Sequence, residues 1–202
     1  LKLCDEELTA KKNSDQQTPS PNNFPEGIDT KLSHFMDRLK EKNKDCKFLE
    51  EINKSPHYEQ ITLRDLLNHT HALGYRDDAG LAIEQLKDPN KQFSPAEILN
   101  HSKKDESAEF GKFKYSNVGY ELASMVAELV TNKTYSEALD EKIIKPLGLE
   151  GTAMKSQKPR ENYATGIMYA TEFTVDGQTH GNTEMNFNTS GNSQGAGGLI
   201  SK

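Results

Sequence analysis

Apolar residues along this chain fall into helical registers separated by polar and proline-rich breaks. From Ile28 onward, Leu32, Phe35, Met36 and Leu39 recur at the spacing that lines one face of a helix. The charged run KEKNKD at 40–45 then reads as a solvated helix face or loop. Thr62 precedes Leu63, Leu66 and Leu67, and Asp65 follows three residues later, a capping-box start with Asp in place of Glu. Gly74 is the expected stop of that helix. Ser94-Pro95 opens a short helix to Asn100 inside an otherwise polar stretch, 75–112. Val118, Leu122, Met125, Val126 and Leu129 give the clearest apolar face, on a helix over about 116–130. Thr134 and Glu137 form a second capping box, Leu139, Ile143 and Ile144 face inward, and Pro146 with Gly148 ends the element.

After residue 155 the texture changes. YATGIMYATEFTVDGQTHG alternates as strands do, with a turn signal at Asp176-Gly177. The expected organisation is a flexible N-terminal segment and linker over 1–27, a helical region over 28–155 and a partial sheet region over 156–202. The linker follows from NSDQQTPSPNNFPEG, with three prolines and no periodicity.

Composition narrows the function classes. The 202 residues suit one domain with an appendage, 28% charged and 33% hydrophobic. A net charge of −6 with no basic patch argues against a nucleic-acid partner. The longest apolar runs are too short to span a membrane. The chain starts at Leu1 and stops at Ser201-Lys202, so both ends read as cut. Its two cysteines, Cys4 and Cys46, are either a pair, which requires an oxidising compartment, or two unrelated thiols.

Candidate chemistry gathers at Phe113-Lys114-Tyr115-Ser116-Asn117, a short polar run entering the best apolar helix. In structural terms, Ser116 or Asn117 is an ordinary N-cap and Tyr115 packs against the helix start. His69 and His71 sit two apart, point to different sides of a helix and cannot easily chelate one ion, so no metal site is expected. Capping or packing is the expected role of His69. The glycine run SGNSQGAGG lacks the Gly-Lys-Ser/Thr of a phosphate loop and reads as a tight turn at a strand end.

Three segments together resemble the serine β-lactamase and penicillin-binding-protein family, in its class C β-lactamase, D-alanyl-D-alanine carboxypeptidase and esterase branch. ITLRDLLNHTHALG is similar to that branch's ITIRHLLTHTSGL helix, with His71-Ala72 where Ser-Gly is usual. FKYSNVGYELASMVAELVTNKTYSEALDEKIIKPLGLEGTAM resembles its Tyr-Ser-Asn block, and GAGGLIS its AGGLxST turn. The resemblance spans about 28–202 and implies an α/β (α+β) β-lactamase/transpeptidase-like fold, of which this chain holds mostly the helical region plus a β-hairpin. It also implies acyl transfer by an activated serine without a cofactor, on a small-molecule or peptide substrate, in a periplasmic or secreted setting. Tyr115 is then a catalytic proton shuttle, and Asn117 a catalytic and substrate-binding amide. A free tyrosine titrates near ~10, so a phenol acts as base only beside a cation.

The family's cation belongs to a Ser-x-x-Lys element, which these 202 residues do not contain. Thr9-Ala-Lys-Lys12 fits only Thr-x-x-Lys and lacks an apolar helix to carry it. Lys-Thr-Gly and His-x-Gly are missing too, and His180-Gly181 is not the motif. The expectation is therefore a piece of a serine hydrolase carrying one of three reaction elements and inactive by itself. The rival is a non-catalytic member that serves as a binding or interaction module. Neither substrate nor oligomeric state is readable.

Overall fold

The computed structural model describes residues 24–87, 93–154, 167–169, 173–175, 178–180, 184–186 and 195–201. Cys4, Thr9, Lys12 and most of the 13–27 linker lie outside the described residues, as do Asp176-Gly177 and residues 188–194.

The apolar registers become helices. They are α1 (Ser33–Lys42), α2 (Lys47–Glu51), α3 (Leu63–Asn68), α4 (Asp78–Lys87), α5 (Pro95–Asn100), α6 (Asn117–Thr131) and α7 (Tyr135–Leu139). A π turn, Asp140–Ile144, prolongs α7. Helix α6 is the hub, packed on α1, α3, α5 and α7. Its face buries Val118, Leu122, Met125 and Val126 against Leu32, Phe35, Leu39, Leu66 and Leu99. Each such side chain is worth about 1.5–3 kcal/mol on burial. Phe24 joins the same core, its ring 5.5 Å from Phe35. The Cys46 thiol is free and buried, and burial raises its pKa.

Three capping boxes start helices. Thr62 with Asp65, Ser94 with Glu97, and Thr134 with Glu137 each satisfy two otherwise orphaned donors. One expected boundary was displaced. α3 ends at Asn68, not near Gly74, because His69 itself adopts the left-handed conformation (φ 61°) and closes the last turn onto Asp65. Gly74 serves elsewhere. At φ +103° its missing Cβ lets the chain pass the Lys103 carbonyl, 2.1 Å from where that Cβ would sit. Helices α2 and α4 add to the elements read from the pattern.

The strands are short and antiparallel. β1 (Tyr75–Arg76) pairs with β2 (Ser102–Lys103), and β3 (Ala153–Met154) with β8 (Leu199–Ile200). β4 (Ile167–Tyr169) pairs with β7 (Glu184–Asn186), and β5 (Phe173–Val175) with β6 (Gln178–His180). Tyr169 opposite Glu184 and Phe173 opposite His180 keep one antiparallel register across the two ladders. No helix among the described residues is long and apolar enough to cross a membrane.

Removing the α3 cap with Thr62→Ala is expected to lower unfolding free energy by about 1 kcal/mol. Opening the core under α6 with Leu122→Ala is expected to cost about 2–5 kcal/mol. Urea unfolding followed by circular dichroism reads both.

Candidate active site

The start of α6 is fixed by the loop that leaves α3. Ser116 is the N-cap, in an extended conformation (φ −156°, ψ 129°). Its Oγ accepts from the Val118 amide at 3.2 Å and donates to the Gly74 carbonyl at 2.6 Å. One hydroxyl thus caps the helix and ties it to the loop. His69 Nδ1 lies 3.0 Å from the Ser116 carbonyl oxygen and 3.3 Å from its amide nitrogen. The Tyr120 hydroxyl donates to the Leu67 carbonyl at 3.0 Å, one turn further along.

His71 fills the space between α3 and α6. It is only 1% exposed, and its Nδ1 accepts from the Leu73 amide at 3.0 Å. A Cβ on Gly119 would lie 2.8 Å from His71 Nε2 and 2.4 Å from the Leu66 carbonyl, so glycine at 119 permits the approach. Burial pushes the His71 pKa down to about 4, neighbouring His69 adds to the effect, and Asp65 opposes it. Burial alone would raise Asp65, but hydrogen bonds from Thr62 and Thr70 prevail and hold its carboxyl below the usual range.

With capping assigned to Ser116, Tyr115 and Asn117 are left at the helix mouth. Tyr115 is 64% exposed and Asn117 half-buried. The phenol donates to Asn117 Oδ1 at 2.8 Å. That bond occupies the Asn117 carboxamide oxygen. The Tyr115 ring lies 4.7 Å from the His69 imidazole. Lys114, between them in sequence, turns away to Asp105 Oδ2 at 2.7 Å and to Ser107. Its hydrogen bond, with that of Ser107, holds Asp105 at about 2. Among the described residues no ion pair reaches the Tyr115 phenol.

The glycine-rich segment packs on the same helix. A Cβ at Gly195 would lie 2.1 Å from the Tyr120 carbonyl oxygen and 2.8 Å from Ser124 Oγ. The chain bends at 195–197 and enters β8, a turn at a strand end. Among the described residues, cavities of about 300, 690 and 820 Å³ occur, and neither Tyr115 nor Asn117 lines these. Among the described residues no group of three or more His, Cys, Asp or Glu side chains could hold a metal ion.

The Beta-lactamase family profile matches residues 28–202. The chain belongs to that family. Among solved structures it is similar to the D-amino acid amidase from Ochrobactrum anthropi SV3 complexed with L-phenylalanine amide. The identity is 26% and the TM-score 0.55, over 85% of this chain and 50% of that one. It is also similar to a D-stereospecific amidohydrolase from Streptomyces sp., at 22% identity and TM-score 0.55, over 85% of this chain and 54% of that one. The fold is β-lactamase/transpeptidase-like, and the chain spans about half the length of these two structures. A search of curated proteins finds no match to it.

Two measurements probe how this Beta-lactamase-family site is held. Ser116→Ala is expected to cost about 1–2 kcal/mol in urea unfolding, since it removes a cap and a buried hydroxyl bond together. His71 is neutral in the folded protein, with its pKa depressed from 6.5 to about 4. The unfolded chain therefore binds the extra proton first. The stability this contributes is complete above about pH 6.5, falls as pH drops through 4, and amounts to about 3 kcal/mol. His71→Gln should flatten that part of the stability–pH curve, and an unchanged slope would show that His71 titrates normally.

Proposed function

We propose that this chain supplies the Tyr-x-Asn element of a serine hydrolase of the penicillin-binding type, which cleaves an amide or ester through an acyl-enzyme. The observation that carries the reading is the division of labour at the start of α6. Ser116 does the capping, so the exposed Tyr115–Asn117 hydrogen bond is not needed to hold the helix. In the proposed reaction Tyr115 passes a proton between a serine nucleophile and the leaving group. Asn117, its Oδ1 occupied by the phenol, donates from its amide nitrogen to the substrate's acyl group. The amidase named above supports an amide substrate. The nucleophile, the lysine that lowers the phenol's pKa and the Lys-Thr-Gly or His-x-Gly strand would come from sequence beyond these 202 residues. A periplasmic or secreted setting is part of the same proposal.

A second reading has one observation in its favour: the 202 residues contain neither Ser-x-x-Lys nor Lys-Thr-Gly. On that reading the protein is a non-catalytic member that binds a ligand or partner. Reading the open frame on both sides distinguishes the two.

Labelling of the full-length protein with fluorescent penicillin or a fluorophosphonate tests the enzyme reading directly. The expected result is a covalent label on the full-length protein, none on the 202-residue chain, and acylation slowed about 10²–10⁴-fold by Tyr115→Phe. Folded full-length protein that takes no label from either probe, or a Tyr115→Phe variant that labels at the original rate, contradicts it.

A further inference from the structure

Beside the Tyr115–Asn117 pair lies an aromatic surface that the proton-shuttle reading does not use. The His69 imidazole is ringed by Phe113, Tyr115 and Tyr120, at centroid distances of 5.7, 4.7 and 5.2 Å. Phe113 meets it edge-on at 90° and Tyr115 at 45°. Phe113 and Tyr115 are alternate residues. The residue between them, Lys114, is drawn away by Asp105 and Ser107, so both rings stay on the His69 side of the chain. Neither ring is covered: Phe113 is 72% exposed and Tyr115 64%.

A single exposed phenylalanine is ordinary at a protein surface and adds nothing to the core. This one is nevertheless held in place, because the Lys114 amide donates to the His69 carbonyl at 2.9 Å and the Gly111 amide to the Thr70 carbonyl at 2.9 Å. Those two backbone bonds fasten 111–114 to 69–70 on either side of Phe113. The same Tyr115 side chain presents its hydroxyl to Asn117 and its ring to this surface. Tyr115 thus borders both the Asn117 carboxamide and the Phe113–His69 surface.

We infer that Phe113, seated on His69 beside Tyr115, is a specificity-determining residue that stacks against an aromatic side chain on the acyl part of the substrate. The inference rests on the proposed function and narrows its substrate class to carboxamides and esters bearing an aromatic acyl side chain. Alkyl analogues lose the ring-on-ring contact, and the preference expected for one such pair is roughly 3- to 10-fold.

The test needs no turnover. The 202-residue chain, carrying ¹³C-labelled Phe, Tyr and His, is titrated with phenylacetamide and, separately, with acetamide while aromatic NMR signals are followed. Phenylacetamide should shift the Phe113, Tyr115 and His69 ring signals saturably, and acetamide should bind at least about 3-fold more weakly. Phe113→Ala should abolish that preference while leaving the thermal midpoint within about 2 °C of wild type, and Phe113→Leu should restore only part of it. Equal binding of the two amides, or shifts confined to other residues, overturns the inference. So does a Phe113→Ala variant that keeps the preference. Failure of this titration with penicillin labelling intact removes only the aromatic preference. Success of the titration with no labelling removes the hydrolase reading and leaves the binding surface.

Discussion

The candidate site depends on one contact, the Ser116 hydroxyl wedged between the first turn of α6 and the Gly74 carbonyl. Through it a single residue ends an orphan donor's search for a partner and fastens the helix to the loop leaving α3. The loop answers at two further points. His69 bonds the Ser116 backbone, and His71 slides under Gly119 where a Cβ would collide. Three side chains and one missing methyl thus set the height and direction of the helix mouth. Tyr115 and Asn117 inherit their positions from this arrangement, and the Tyr115 ring packs back on His69.

Packing explains why that mouth can be both rigid and open. Everything from Val118 onward along α6 is gripped by α1, α3, α5 and α7, and the buried aliphatic side chains there supply the stability. The polar residues just before the helix are spared that duty. Holding His69 in a left-handed conformation is unfavourable for a residue with a side chain. The imidazole offsets it by bonding Ser116 and meeting three aromatic rings. Backbone strain, a buried neutral histidine and exposed aromatic rings all fall within one loop and one helix start. Such features concentrate where a fold carries function.

Much of this was legible in the residues. The α6 face, the capping boxes at Thr62 and Thr134, the helix start at Ser94-Pro95 and the strand texture after residue 155 follow from periodicity and turn chemistry. So does the family, because the Tyr-Ser-Asn block opens α6 and Gly195 of the glycine-rich turn meets the Tyr120 carbonyl where a Cβ would collide. What escaped the pattern has identifiable causes. Glycine is the usual left-handed stop, so Gly74 drew the end of α3 to itself; the imidazole contacts that let His69 take the role are tertiary. Helix α4 is only weakly amphipathic and sits in a polar stretch that spacing could not parse. The choice of Ser116 over Asn117 as cap hinged on the Gly74 carbonyl, 42 residues away.

The most direct test of this arrangement is a ¹³C-edited NOE spectrum of the 202-residue chain in solution. If the loop and the helix start are locked as described, His69 ring protons show cross-peaks to the rings of Phe113, Tyr115 and Tyr120 together. Cross-peaks that are absent, or that place the Tyr115 ring in contact with core side chains such as Leu122, would contradict the account.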